Sequence, residues 1–128
     1  MKITQSKVEK GRSLELDIAK DLRDHKLDPW AKRMPRSGAI EGLRSDIYTE
    51  LPIRIECKRQ EKWKPEEYYQ QAVDSARPTE IPVVVMMKNE GVPMTLLSWN
   101  DFLGFMEWAK LGGWLGELKF SKRRQVRN

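Results

Sequence analysis

Residues 45–59 read SDIYTELPIRIECKR, and how this stretch is read decides the fold. Two β-like runs flank a turn at Glu50-Leu51-Pro52, and the second run, Ile53 to Lys58, alternates apolar and charged residues. A strand has period two, so Ile53, Ile55 and Cys57 share one face while Arg54, Glu56 and Lys58 share the other. A three-residue hairpin loop at 50–52 would set Asp46 directly across from Glu56. Cβ atoms so opposed lie about 4.5–5.5 Å apart. Carboxylates at that spacing repel unless a cation lies between them or one takes a proton. A hard divalent ion answers that need, since Mg²⁺ is commonly held by one or two carboxylates plus substrate phosphate. Lys58 adds a positive charge on the same face. The competing reading is a solvated hairpin face, on which Asp, Glu, Arg and Lys are ordinary.

A second acid bears on the choice. Residues 1–10 are polar and basic and read as a short arm. From Ser13 to about Asp24 a helix is expected, because Leu14, Ile18, Ala19 and Leu22 fall on one stripe at helical spacing. Glu15 lies inside that stripe, between Leu22 and Ala19. A carboxylate on a core-facing helix side needs a partner or a metal, because burying an unpaired charge is costly. At the edge of the stripe it would instead reach water or a lysine.

The chain has 128 residues and a formal net charge of +5, from 24 Lys and Arg against 19 Asp and Glu. That length suits one domain over 1–128, with a core over about 8–110 and a basic tail over about 117–128. The basic excess favours nucleic acid or another anionic surface. Cys57 and His25 are each the single residue of their type, which excludes an intrachain disulfide and a multi-cysteine zinc site. The N-terminal run is too polar for a signal peptide, and no apolar run is long enough to span a membrane. An intracellular, cytoplasmic protein is expected, in the host cytoplasm if it is phage-encoded.

Residues 26–45 form a long connection broken by Pro29, Pro35, Gly38 and Gly42. It carries Lys32, Arg33, Arg36 and Arg44 with Trp30 among them. Basic residues next to Ser37-Gly38 suit phosphate contact, since backbone amides can approach closely there; a solvated loop is the alternative. Pro65 suits a first helical position, and the helix it opens should run to about Ala76, with Tyr69, Ala72, Val73 and Ala76 inward. Gln70 and Gln71 lie mid-helix, and one of them could point to the site. Residues 81–87 read as a strand buried on both faces, followed by a turn at Asn89-Glu90-Gly91 and a return strand from Met94 to Leu97. Ser98 and Asp101 match a capping box. The helix they open should run to about Lys110, with Phe102, Phe105, Met106 and Ala109 inward and Gly112-Gly113 closing it. Trp99, Phe102, Phe105, Trp108, Trp114 and Leu115 are more apolar bulk than one small helix buries against its own sheet, and they suggest a subunit interface.

In this order, Lys10-Gly11-Arg12-Ser13-Leu14-Glu15, Arg36-Ser37-Gly38, Asp46-Ile47 and Glu56-Cys57-Lys58 resemble the archaeal-type Holliday junction resolvases of the PD-(D/E)XK nuclease superfamily, of which small phage members exist. The resemblance covers about residues 8–100. Ser45 stands where the superfamily motif has proline. The resemblance implies an α/β, restriction-endonuclease-like core: a central mixed β-sheet flanked by helices. It implies that Asp46, Glu56 and the Cys57 carbonyl would bind Mg²⁺ or Mn²⁺, with Glu15 completing the acidic cluster. Lys58 would orient or deprotonate the attacking water, or stabilise the pentavalent phosphate. Arg36 and Ser37 would belong to a loop near the scissile phosphate, and Lys10, Arg12, Lys32, Arg33, Arg36, Arg44 and Gln71 would contact DNA. The reaction implied is Mg²⁺-dependent phosphodiester hydrolysis giving a 5′-phosphate. The substrate implied is a four-way junction, as in DNA recombination and repair, cut by a homodimer in paired symmetric nicks. Other nucleases on this fold (nicking, flap or restriction-type) and a non-catalytic DNA-binding module are the alternatives.

Overall fold

The computed structural model describes residues 7–34 and 46–112. The element order is α1 (Lys7–Asp24), β1 (Lys32–Arg33), β2 (Ile47–Tyr48), β3 (Ile53–Arg59), α2 (Pro65–Ser75), β4 (Ile81–Met87), β5 (Met94–Leu96) and α3 (Trp99–Leu111). The expected strand at 53–58 is thus formed, and the fold is α/β with a mixed sheet flanked by helices. Two units divide after Leu96: the first holds the sheet with α1 and α2, the second holds α3.

The centre of the first unit is the three-stranded sheet β3-β4-β5. β3 and β4 run parallel in register from Ile53↔Ile81 to Arg59↔Met87, joined by α2, and β5 returns antiparallel to β4. Parallel strands need a helical crossover, and such sheets are covered on both faces. Accordingly Val83, Val84, Val85 and Met86 are all buried, as the continuous apolar run predicts. One face packs Ile55, Cys57, Val83 and Val85 against Leu14, Ile18 and Ala19 of α1, together with Ile47. The other packs Val84 and Met86 against Tyr68 and Ala72 of α2. Of the side of α2 expected inward, Ala72 is buried and Tyr69 packs against the same cluster, while Tyr68 takes the place expected of Val73. Tyr68 is buried and Val73 exposed, because the strand face it meets is set by Val84 and Met86.

The expected hairpin between 46–49 and 53–58 is not formed. β2 pairs antiparallel with β1, Lys32 opposite Tyr48 and Arg33 opposite Ile47, inside the stretch expected to be loop. The ladder bonds of β3 go to β4, and a tight turn at Leu51–Ile53, with the Ile53 amide on the Leu51 carbonyl at 2.7 Å, re-aims the chain. The α1 helix also begins at Lys7 rather than Ser13, with Glu9 in its first turn favoured by the helix dipole. It closes in a Schellman arrangement: Lys26 is left-handed (φ 58°), its amide reaches the Arg23 carbonyl, and the Leu27 amide reaches the Leu22 carbonyl.

Two buried polar anchors fix the strands. Arg54 reaches Glu80 through Nη2 at 2.9 Å and Nε at 3.3 Å, tying the start of β3 to the turn before β4. Burial pushes the Glu80 carboxyl up, but the Arg77 amide and the Arg54 guanidinium outweigh it and hold it below its usual range. Asp28, 2% exposed, accepts from the Thr49 hydroxyl at 2.6 Å and from the amides of Glu50 at 2.7 Å and Trp30 at 2.9 Å. It holds the chain leaving β2 to the turn that precedes β1.

In the second unit Ser98 Oγ accepts the Asp101 amide at 3.1 Å, as its capping pattern predicts, and α3 ends at Leu111 with Gly112 as its cap. The expected inward stripe is not buried: Phe102, Phe105 and Met106 are 41%, 45% and 38% exposed, and no α3 residue is buried. Trp114, Leu115 and the 117–128 tail lie outside the described residues. Among the described residues no helix is long and apolar enough to cross a membrane.

Burial pushes the Asp28 carboxyl up, and its three hydrogen bonds override this and lower it. Replacing Asp28 with Asn puts an NH₂ against donors. Asp28→Asn should therefore lower the unfolding free energy by about 2 kcal/mol in urea titrations at pH 7. A carboxyl depressed in the folded state stabilises above its unfolded pKa, about 3.9. The gap between wild type and variant should therefore be full at pH 6 and shrink as pH falls below about 4.

Candidate active site

Glu56 and Lys58 share the α2-side face of β3, opposite Val84 and Met86 of β4, as strand period requires. That face is no solvated hairpin face. Arg54 and Glu56 on it are 6% and 7% exposed. Lys58 is half-buried, with Nζ 5.5 Å from the Tyr68 ring centroid, a cation–π distance. Tyr68 donates its hydroxyl to Gln60 Oε1, so the ring under Lys58 is itself fixed.

Asp46 joins β3 by its side chain rather than by strand pairing. The Cys57 amide donates to Asp46 Oδ2 at 2.7 Å, and Asp46 is 3% exposed. An amide of β3 that points away from β4 has no ladder partner, and the carboxylate supplies one. The bond places the Asp46 carboxylate beside the Glu56–Cys57 peptide. Glu15, 2% exposed on α1, is not at the edge reaching water; Arg33 Nε lies 3.6 Å from its Oε2. Arg33, expected at phosphate, stands in this pair. Lys32 lies over the Tyr48 ring at 5.6 Å.

Among the described residues no three His, Cys, Asp or Glu side chains form a metal cage. The Asp46 carboxylate is held at the Cys57 peptide, and Glu56 precedes Cys57 on β3. An oxygen set of these two carboxylates and the Cys57 carbonyl fits Mg²⁺, which takes one or two carboxylates and completes its shell with water and substrate phosphate. Arg36, Ser37 and Arg44 lie outside the described residues.

Beside Cys57 and Lys58 opens a groove of about 560 Å³, lined by Lys10, Gly11, Arg59, Gln60, Glu61, Lys62, Lys64 and Asn89 as well. Of the expected DNA contacts among the described residues, Lys10 lines it, while Arg12 and Gln71 are exposed and do not. Lys62 and Lys64 were not among the expected contacts, although two lysines flanking Trp63 after the strand carry the basic and aromatic interleaving typical of nucleic-acid contacts. Asp28 and Glu80 were not singled out either; their importance lies in burial that no local pattern displays.

A helix–sheet sandwich with an Asp carboxylate docked on a strand carrying Glu-x-Lys defines a nuclease-type domain of the PD-(D/E)XK class. A family model described as "Phage putative PDDEXK endonuclease" matches residues 6–108, and the chain belongs to that family. It is a nuclease of the PD-(D/E)XK superfamily. No curated protein and no solved structure matches the chain.

Tyr68→Phe keeps the ring beneath Lys58 and loses only the hydroxyl bonds, so it should cost about 1 kcal/mol of stability. Tyr68→Ala, which also empties a buried site, should cost about 3–5 kcal/mol. Urea unfolding of the two variants checks the difference.

Proposed function

We propose that this protein is a divalent-metal-dependent endodeoxyribonuclease that cuts branched DNA, with a four-way junction as its preferred substrate. The observation that carries the catalytic reading is the buried bond from the Cys57 amide to Asp46, which sets one carboxylate against the strand bearing Glu56 and Lys58. Asp46, Glu56 and the Cys57 carbonyl would hold Mg²⁺ or Mn²⁺. When bound, such an ion provides a water of lowered pKa and neutralises charge developing on the phosphate. Lys58 keeps a positive charge beside the attacked phosphate and orients the incoming water. The product is a 5′-phosphate. Glu15 lends negative charge to the site's rim, balanced by Arg33. Arg36 and Ser37 act at the scissile phosphate, and Arg12, Lys32, Arg44 and Gln71 contact DNA further out.

Junction preference rests on assembly. Resolution needs two cuts related by two-fold symmetry, which a C₂ dimer presents at once. The apolar bulk left exposed on α3, including Trp99, Phe102, Phe105 and Trp108, is the surface for that dimer. Sedimentation equilibrium at micromolar protein should return twice the mass of the chain. A strict monomer on junction DNA would favour a nicking or restriction-type nuclease instead.

Labelled four-way junction and matched linear duplex, each with Mg²⁺ or EDTA, test the activity. Paired symmetric nicks in the junction, dependent on Mg²⁺, are expected. Asp46→Asn and Glu56→Gln should each abolish cleavage while DNA binding persists, because they remove metal-binding charge and little volume. Turnover near wild type in either variant would mean the metal site lies elsewhere.

A further inference from the structure

We propose that the groove between the start of α1 and the Arg59–Lys64 segment is a phosphate track, carrying the DNA strand onward from the site at Cys57–Lys58. This rests on the nuclease reading and assigns to it Arg59, Lys62 and Lys64, which that reading leaves unused. Lys10, Lys58, Arg59, Lys62 and Lys64 line the groove against one acid, Glu61. Among the described residues, Arg59 donates to the Asn89 carbonyl and Lys58 lies over the Tyr68 ring, neither of which supplies a negative charge. Lys64 meets Glu67 at 4.0 Å with both side chains well exposed, an arrangement of small effect. Gly11 is the second, independent sign. It lies inside α1, where glycine costs about 1 kcal/mol relative to alanine. A Cβ built there meets no atom within 4 Å, so packing does not require its absence. Its missing side chain opens onto the groove, as expected of a position where a ligand's backbone passes close to the helix. A phosphodiester chain meets both conditions: it is thin, and it carries a charge at every step.

The test is fluorescence-anisotropy binding to labelled four-way junction and linear duplex in EDTA, between 50 and 200 mM salt. Each phosphate contact contributes about 0.9 to the slope of log affinity against log salt. Lys62→Gln/Lys64→Gln should flatten the slope by about 1.8, so the affinity lost across that fourfold salt range falls about twelvefold less than in wild type. Gly11→Leu should bind about tenfold more weakly, the size of one lost contact, while its thermal midpoint stays level or rises. A charge-matched control, Lys20→Gln/Lys26→Gln, should leave the slope near wild type. Wild-type slope and affinity in both groove variants, beside intact Mg²⁺-dependent cleavage by the unaltered protein, would overturn the track and leave the nuclease reading standing. Equal flattening by the control would also overturn it, reducing the effect to net charge. A wild-type chain that binds neither DNA would overturn both.

Discussion

A buried carboxylate must find donors, and a strand at the margin of a sheet must find acceptors. The bond from the Cys57 amide to Asp46 meets both needs at once. A buried amide or carboxylate left without such a bond costs on the order of 1–3 kcal/mol. With it, the short β1–β2 ribbon is pinned against a sheet with which it shares no ladder. The same bond holds the Asp46 carboxylate at the strand that bears Glu56 and Lys58.

The supporting contacts follow the same logic. Asp28 gathers the Thr49 hydroxyl and the Glu50 amide just beyond β2, while Arg54 and Glu80 lock the start of β3 to the approach of β4. One anchor holds the ribbon that bears Asp46, and the other holds the strand that bears Glu56. Both are charged groups whose desolvation is offset by several hydrogen bonds, which is the condition under which buried charge is tolerated.

Most of the fold is legible in the sequence because its signals are local. Alternation marks β3, the unbroken apolar run at 83–86 marks a covered central strand, and Pro65 and Ser98 open the two later helices. Glu15, Glu56 and Lys58 could be placed on their faces from periodicity alone. The partner of β2 could not. A two-residue ribbon has too little pattern to choose between β1 and β3, and the tight turn at Leu51–Ile53 decides it. The facing of α2 was legible in part: Ala72 and Tyr69 pack on the core as expected, and only the surface of β4 shows that Tyr68 is the more deeply buried tyrosine. The buried state of Arg54 was hidden because its partner Glu80 lies far along the chain.

The parallel pairing of β3 with β4 has a kinetic meaning. Each residue of β3 meets a partner 28 positions later, from Ile53 with Ile81 to Arg59 with Met87. Such a ladder forms only after a long loop has closed, so its contacts raise contact order and slow the approach to the native state. The strand bearing Glu56 and Lys58 is therefore completed only once α2 has brought β4 beside it. A chain still emerging from synthesis, with residues 81–87 not yet available, has every proposed catalytic group and no frame on which to align them. Its nuclease chemistry is thereby withheld until the domain is whole.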